Sequence, residues 1–344
     1  MHFPGHFPYR CNALPAEVFS YLCRTFYRLA IMGVKIGFRE WSALVFLMLV
    51  WGSSFILVKK GLESFSGMEL GALRIVITFV ILLPFAVTRI RTVPASSLRF
   101  FFITGLLGSG IPPFLFGVAQ MHIDSFLAGV LNALTPLFTL IAGVMFFSAK
   151  ATWLNVAGVL LALAGAAGLL VAVSNPQLAN GTIYGLLVVV ATMLYALNMN
   201  IIKKRLGGFD PLTITSLMFA GIGIPATIYL FAGTGFTQTM MTAPDAWVSF
   251  GFVAVLSVFG SAISMVVHNW LIHRTSALFA STVTYMMPIV SIFWGIADGE
   301  VFLIGYLVWI ALILGGVYLT NGTNIRNILR RVRFQWESNR NQAD

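Results

Sequence analysis

The chain has 344 residues, 58% hydrophobic and 9% charged, with a mean hydropathy of +0.90 and a formal net charge of +10. Soluble domains carry about 25% charged residues, whereas charge-free apolar runs of about 20 residues belong to membrane helices, so an ordinary soluble domain is excluded. The basic residues sit in short clusters between apolar runs and form no continuous basic face, which argues against nucleic acid as a partner.

Residues 1–40 carry Arg10, Arg24, Arg28, Lys35 and Arg39 and both cysteines of the chain, Cys11 and Cys23. They hold no apolar run long enough to span and no small-residue cleavage pattern, so they read as an N-terminal cytoplasmic extension without a cleavable signal peptide, with Met32 as a second candidate start. With two cysteines there is no disulfide framework, and no metal or cofactor site is expected. Ten apolar spans follow, at about residues 41–60, 68–88, 98–120, 125–147, 151–173, 181–202, 211–232, 246–269, 275–297 and 301–321. Placing the N-terminus inside puts 18 of the 21 basic residues on the cytoplasmic side, leaving Lys59 and Lys60 outside and Arg74 within a span. Both termini are therefore expected in the cytoplasm. Residues 322–344 form a basic tail in which Ile325, Ile328, Leu329 and Val332 alternate with arginines, a pattern suited to the surface of the lipid bilayer.

Two stretches repeat. Trp51–Leu62, WGSSFILVKKGL, lies over Tyr195–Leu206, YALNMNIIKKRL, at an offset of 144 residues, matching an aromatic with an aromatic and Lys59-Lys60 with Lys203-Lys204. Ser125–Phe147 and Ala277–Ala297 match at an offset of 152, each with a proline as twelfth residue, Pro136 and Pro288. Proline cannot donate the hydrogen bond owed to the carbonyl four residues earlier, so helix breaks are expected near Asn132 and Thr284. Irregular backbone at membrane depth is tolerated only where it is buried in protein or lines a cavity. Five spans per repeat turn the second copy upside down, the arrangement in which a central site opens alternately to each side. The fold expected is thus an all-α polytopic membrane protein, a first five-helix repeat over residues 41–173 and a second over 181–321.

WGSSFILVKKGL, then ELGALRIVITFVILLP, then SFLAGVLNALTPLF with its second copy, resemble the EamA-type permeases of the drug/metabolite transporter superfamily. The resemblance covers about residues 41–321. It implies two five-helix halves around a central cavity, the fifth and tenth helices at the periphery and often at a homodimer contact, and export of amino acids, metabolites or drugs without ATP. In the fifth span Gly158, Ala162 and Ala166 recur at every fourth position, a spacing that suits close helix approach either in a dimer or within one chain. The tenth span departs by carrying Trp309 where a small residue is expected.

Arg74 stands about six positions into the second span, roughly 9 Å along the helix, and an intramembrane cation is costly unless used or paired. Glu69 is about 140° around the same helix and does not face it. A substrate carboxylate would pair with the guanidinium bidentately. Ser54 and Asn198 align at the offset of 144 and offer polar groups to a ligand or to neighbouring helices. Asn132, Thr284 and Tyr285 stand at the expected breaks. Trp51, Tyr195 and Trp294 provide aromatic faces for stacking or for packing. His268, and more weakly Glu69, are the residues through which a proton could be relayed. No paired histidines, nucleophile with a base or phosphate-cradling loop marks an enzyme. The expected function is a secondary transporter exporting small metabolites, best matched by amino acids or similar zwitterions. Proton-coupled multidrug efflux and nucleotide-sugar or sugar-phosphate exchange are the alternatives, and an intramembrane enzyme is the rival class.

Overall fold

The computed structural model describes residues 38–147, 152–173, 181–274 and 283–319, so the expectations for the N-terminal extension up to residue 37 and for the basic tail fall outside it. In hydrocarbon a backbone amide has only the protein to bond with, and long apolar runs therefore form helices. Among the described residues these are α1 (Phe38–Gly61), α2 (Gly67–Arg89), α3 (Ala95–Gln120), α4 (Ser125–Phe147), α5 (Trp153–Val173), α6 (Gly181–Ile201, continuing to Leu206), α7 (Pro211–Ala232), α8 (Ala246–Val255, continuing to Arg274), α9 (Val283–Ala297) and α10 (Tyr306–Leu319). The short helix Phe236–Thr242 lies between α7 and α8.

The helix starts follow local chemistry. Ser66 opens α2 with a reciprocal pair of bonds: its hydroxyl accepts from the Glu69 amide at 3.3 Å, and the Glu69 carboxylate accepts from the Ser66 amide at 2.9 Å. Asp210 opens α7 by accepting from the Thr213 amide at 3.1 Å, and Pro211 occupies the first turn, where its missing N–H costs nothing.

Among the described residues eight helices, α1 to α8, are long and apolar enough to cross a membrane, and the two shorter apolar helices Met286–Ala297 and Tyr306–Leu319 fall in the expected ninth and tenth spans. The first part of the ninth span, residues 275–282, is outside the described residues. The outward surface is apolar, with Val80 and Phe85 of α2, Leu160 and Val171 of α5, and Ile224 and Ile228 of α7 exposed.

The main helix pairings recur when every helix number is shifted by five. Helix α1 packs against α8 and α9, and α6 packs against α3 and α4. The most extensive contact is between α2 and α7, which run antiparallel: Arg89 at the end of α2 meets Asp210 at the start of α7, with its Nη1 also 2.7 Å from the Thr213 hydroxyl. The lysine pairs ending α1 and α6 lie at opposite ends of α4. Lys204 stands over the Phe147 ring at its C-terminus, 5.3 Å from the centroid, and Lys59 reaches its N-terminus through Glu300.

The small-residue face of α5 is used within the chain. Gly165 packs on the backbone of α10 at Ile313, Gly158 and Ala162 on Gly316, and the Trp309 ring fills the space above Gly168. Trp309, which departs from the expected small-residue pattern, is thus accommodated by a glycine on the facing helix. A homodimer through the fifth and tenth helices would have to use their other faces.

The backbone of α4 is interrupted at Ala133 and Leu134, between Ser125–Asn132 and Thr135–Phe147, as Pro136 requires. The Asn132 carbonyl is not left open, because the Thr135 hydroxyl donates to it at 2.8 Å. From Val283 to Ala297 α9 is helical through Pro288, and residues 275–282, just before the expected break near Thr284, lie outside the described residues. Three irregularities went unforeseen, π-helical turns at Leu106–Gly110 in α3, Ile202–Leu206 at the end of α6 and Leu256–Ile263 in α8, of which the first and last pair up. These two are matched positions in the two halves, and such turns re-aim side chains.

Gly168→Leu sets a side chain against the Trp309 ring, and overpacking of this kind costs about 1–3 kcal/mol. The purified protein is expected to melt at a lower temperature, and Gly168→Leu combined with Trp309→Ala to regain part of the loss. Unchanged melting of Gly168→Leu would contradict the described packing of α5 on α10.

Candidate functional site

Arg74 lies on the face of α2 that meets the π-helical turn of α8. Its Nε donates to the Ser261 hydroxyl at 2.8 Å. One turn on, the Thr78 hydroxyl is 2.8 Å from the Arg74 carbonyl and 3.3 Å from that of Ser257, stitching the same crossing. The Tyr195 phenol of α6 is near enough to interact with the Arg74 charge. Among the described residues no carboxylate forms an ion pair with Arg74. A guanidinium has five N–H donors, so Ser261 occupies one and the fork is left to other acceptors.

The aligned polar residues of α1 and α6 occupy equivalent surroundings. Ser54 lies against Gly260 in the α8 π turn, where a Cβ would stand 3.0 Å from its hydroxyl oxygen, and Asn198 lies against Gly108 in the α3 π turn, where a Cβ would collide with its amide. Gly108 and Gly260 are separated by 152 residues, the offset of the two prolines. The Ser54 hydroxyl donates to its own helix at Val50, 2.9 Å away, while the buried Asn198 Oδ1 has no partner among the described residues. Trp51 donates to the Gly260 carbonyl at 3.0 Å, which fixes the indole as a tie between α1 and α8. Its counterpart Tyr195 stacks on Phe116, with centroids 6.2 Å apart.

The remaining candidates separate. Asn132 is buried, with its amide nitrogen 4.0 Å from the Met287 sulfur and its Oδ1 without a partner among the described residues. Thr284 is at the start of α9, and the side chain of Tyr285 falls outside the described residues. Trp294 donates to the Ser53 hydroxyl at 2.8 Å and is 40% exposed, on the rim between α1 and α9. His268 is buried against Trp51, ring centroids 5.0 Å apart, and Asn269 donates to the Thr215 hydroxyl at 3.3 Å. Glu69 is committed to the start of α2, its carboxylate bonded to the Ser66 amide and hydroxyl, and it forms no pair with Arg74. The structure thus brings Arg74 and Ser261 to one crossing, with Trp51 and Ser54 beside them at Gly260.

Sequence reasoning missed Ser261 and the π turns of α3, α6 and α8. It also missed an ionic cluster at the N-terminal end of α4. There Lys59 lies 2.7 Å from Asp298 and 2.9 Å from Glu300, and Lys60 lies 2.8 Å from Asp298 and 3.0 Å from Glu63. The equal spacing of Gly108 and Gly260 was the available signal for the π turns of α3 and α8; nothing in the sequence alone paired Lys59 with residues 239 and 241 positions away.

The model of the EamA-like transporter family matches residues 39–171 and again residues 182–322. An uncharacterised inner membrane transporter of Escherichia coli, YedA, is 25% identical over 264 residues, covering 75% of this chain and 82% of the relative. A probable terminal-alkyne amino-acid exporter of Streptantibioticus cattleyicolor is 26% identical over 268 residues, covering 75% of this chain and 84% of the exporter. A solved crystal structure superposes with a TM-score of 0.54 at 17% identity, covering 83% of this chain and 96% of that one, a likeness of fold.

The Asp298 carboxyl is held below its ordinary value of 3.8 by hydrogen bonds from Lys59 and Lys60, outweighing a smaller push upward from burial. A carboxylate depressed in the folded state adds stability above its unfolded pKa and loses it as pH falls through the folded one. The cluster should therefore leave melting temperature flat from about pH 8 to about pH 5 and contribute a fall below about pH 4. Asp298→Asn is expected to lack that acid step. An identical acid profile in the variant would contradict the pairing.

Proposed function

The chain belongs to the EamA-like transporter family, and we propose that it exports small zwitterionic metabolites of the amino-acid class from the cytoplasm by alternating access. The observation that carries this is Arg74: a guanidinium deep in the helical bundle, oriented by Ser261 and facing no carboxylate of its own among the described residues. A charge so placed is stable when cargo brings the counter-charge, and a carboxylate fits the guanidinium fork. The name of the Streptantibioticus relative, a probable amino-acid exporter, agrees with that cargo class.

In this reading the protein crosses a bacterial inner membrane ten times as two inverted five-helix repeats, residues 41–173 and 181–321, with both termini in the cytoplasm. The double family match, the antiparallel run of α2 and α7 and the placing of the two lysine pairs at opposite ends of α4 support the inversion. The distribution of basic residues supports the orientation, and the inner-membrane relative supports the compartment. Polar groups that would meet the rest of the cargo are Asn132 and Asn198, each with a buried amide oxygen left over.

The test is counterflow in proteoliposomes with labelled amino acids, sugars, nucleosides and cationic dyes. Amino-acid exchange is expected in the native protein. In Arg74→Ala, provided it keeps its melting temperature, kcat/KM should fall by about 10- to 100-fold, the loss of one or two hydrogen bonds to a charged group. Movement of dyes alone, or full amino-acid exchange by Arg74→Ala, would overturn the assignment.

A further inference from the structure

The two ends of α4 are fastened differently. At its N-terminus the Glu300 carboxylate, its side chain 1% exposed, accepts from the Ser125 amide at 2.9 Å and the Phe126 amide at 3.1 Å. It thereby fills two of the orphan donors of the first helical turn, which the residue before it, Asp124, leaves without a side-chain bond. The same carboxylate takes Lys59 of α1, and neighbouring Asp298 takes both Lys59 and Lys60. The turn that presents these acids is locked to α9, with Asp298 N donating to Trp294 O at 2.9 Å, Glu300 N to Gly295 O at 2.9 Å, and Gly299 at φ 82°. Three helices, α1, α4 and α9, are thus tied through two carboxylates. The charged and titratable groups around the tie are Lys59, Lys60, Glu63, Asp124, Asp298 and Glu300.

At the opposite end of α4 the repeat supplies the lysines and not the acids. Lys203 and Lys204 match Lys59 and Lys60, but the positions matching Asp298, Gly299 and Glu300 hold Phe146, Phe147 and Ser148. Among the described residues Lys203, Lys204 and Arg205 form no ion pair, and Lys204 and Arg205 rest on the Phe147 and Phe100 rings. Among the described residues α4 is tied ionically at its N-terminal end only, whereas the ion pair at the other end, Arg89–Asp210, joins α2 to α7; the tie therefore favours the state in which the α1–α4–α9 end is closed.

We propose that Glu300 and Asp298, with Lys59 and Lys60, form a latch that holds the α1–α4–α9 end of the protein closed, and that the central site opens at this end only when Glu300 leaves the N-terminus of α4. The proposal rests on the alternating-access reading above. In the orientation given there, the latch is the outer gate and the resting protein is poised to load from the cytoplasm, as an exporter requires. Glu300 is a positioning residue: it acts through α4, whose interruption at Ala133 and Leu134 lies two turns below the capped amides.

The test uses full-length protein with Cys11 and Cys23 replaced and one reporter cysteine, Ser125→Cys, which is buried beneath the latch and retains the backbone amide that Glu300 accepts. A membrane-impermeant maleimide is applied from the outer side of intact cells. Glu300→Gln and Asp298→Asn are each expected to raise the labelling rate on the order of tenfold, the population shift that follows from weakening a charge-assisted tie. In a second reporter, Thr139→Cys on the other half of α4, the same substitutions are expected to slow labelling in inside-out vesicles. Local fraying would not produce that reciprocal change. Lys60→Ala, a milder change at a half-exposed lysine, is expected to raise Ser125→Cys labelling to a smaller extent and guards against loss of folding in the acid variants. Unchanged labelling in folded variants, or a rise at Ser125→Cys without the fall at Thr139→Cys, overturns the latch. Absent amino-acid counterflow with reciprocal labelling intact sinks the cargo assignment and leaves the latch standing.

Discussion

Inside hydrocarbon every backbone donor and acceptor must be satisfied by the protein itself, and the departures from regular helix in this chain are positioned under that constraint. Pro136 removes a donor, and the Thr135 hydroxyl supplies the bond that the Asn132 carbonyl would have lost. The π turns of α3 and α8 bring glycines to the surface, and the facing helices place Asn198 and Ser54 directly against them. Arg74 is tied to the second of these turns through Ser261. Irregular backbone, small residues and polar side chains thus coincide at the crossings of α1 and α2 with α8 and of α6 with α3, which is where a solute path through a helical bundle needs them.

The two halves share architecture and differ in charge. Helix pairing, the π turns, the prolines of α2 and α7 and the lysine pairs recur between halves, whereas Arg74 and the acids Asp298 and Glu300 occur in one half only. On the proposed alternating-access reading the two packings related by the repeat are comparable in energy, and charges carried by one half only decide between them. An ion pair at a protein surface is worth about 0–1 kcal/mol. A carboxylate that also fills a helix N-terminus contributes more, so a small number of residues suffices to bias a nearly balanced pair of states.

Much of this was legible in the sequence because hydropathy has one dimension: charge-free runs located the eight long helices α1 to α8 to within a few residues, and the constant offsets of 144 and 152 set stretches of the two halves against each other. The α4 interruption was legible from Pro136, since the missing donor is a covalent fact. Pro288 has the same covalent chemistry and lies within the helix Val283–Ala297, the residues before Val283 being outside the described ones. The partner of Arg74 was illegible, for Ser261 is 187 residues distant and ordinary in type. The ionic cluster was illegible for the same reason: Glu300 reads as a loop acid until α1 and α4 are seen on either side of it. Small residues at every fourth position of α5 fitted a dimer or an internal contact equally well, and the contact of Gly158, Ala162 and Gly165 with α10 accounts for their size.

Everything about mechanism rests on the second half standing upside down relative to the first, and one labelling experiment addresses it directly. Single cysteines at Glu63, in the exposed turn after α1, and at Gly208, in the corresponding exposed turn after α6, are probed in intact cells with an impermeant maleimide, Cys11 and Cys23 having been replaced. The inverted arrangement predicts that Glu63→Cys reacts from outside and that Gly208→Cys reacts only after the membrane is permeabilised. Reaction of both cysteines from the same side would contradict the inversion and, with it, the alternating use of a shared central site.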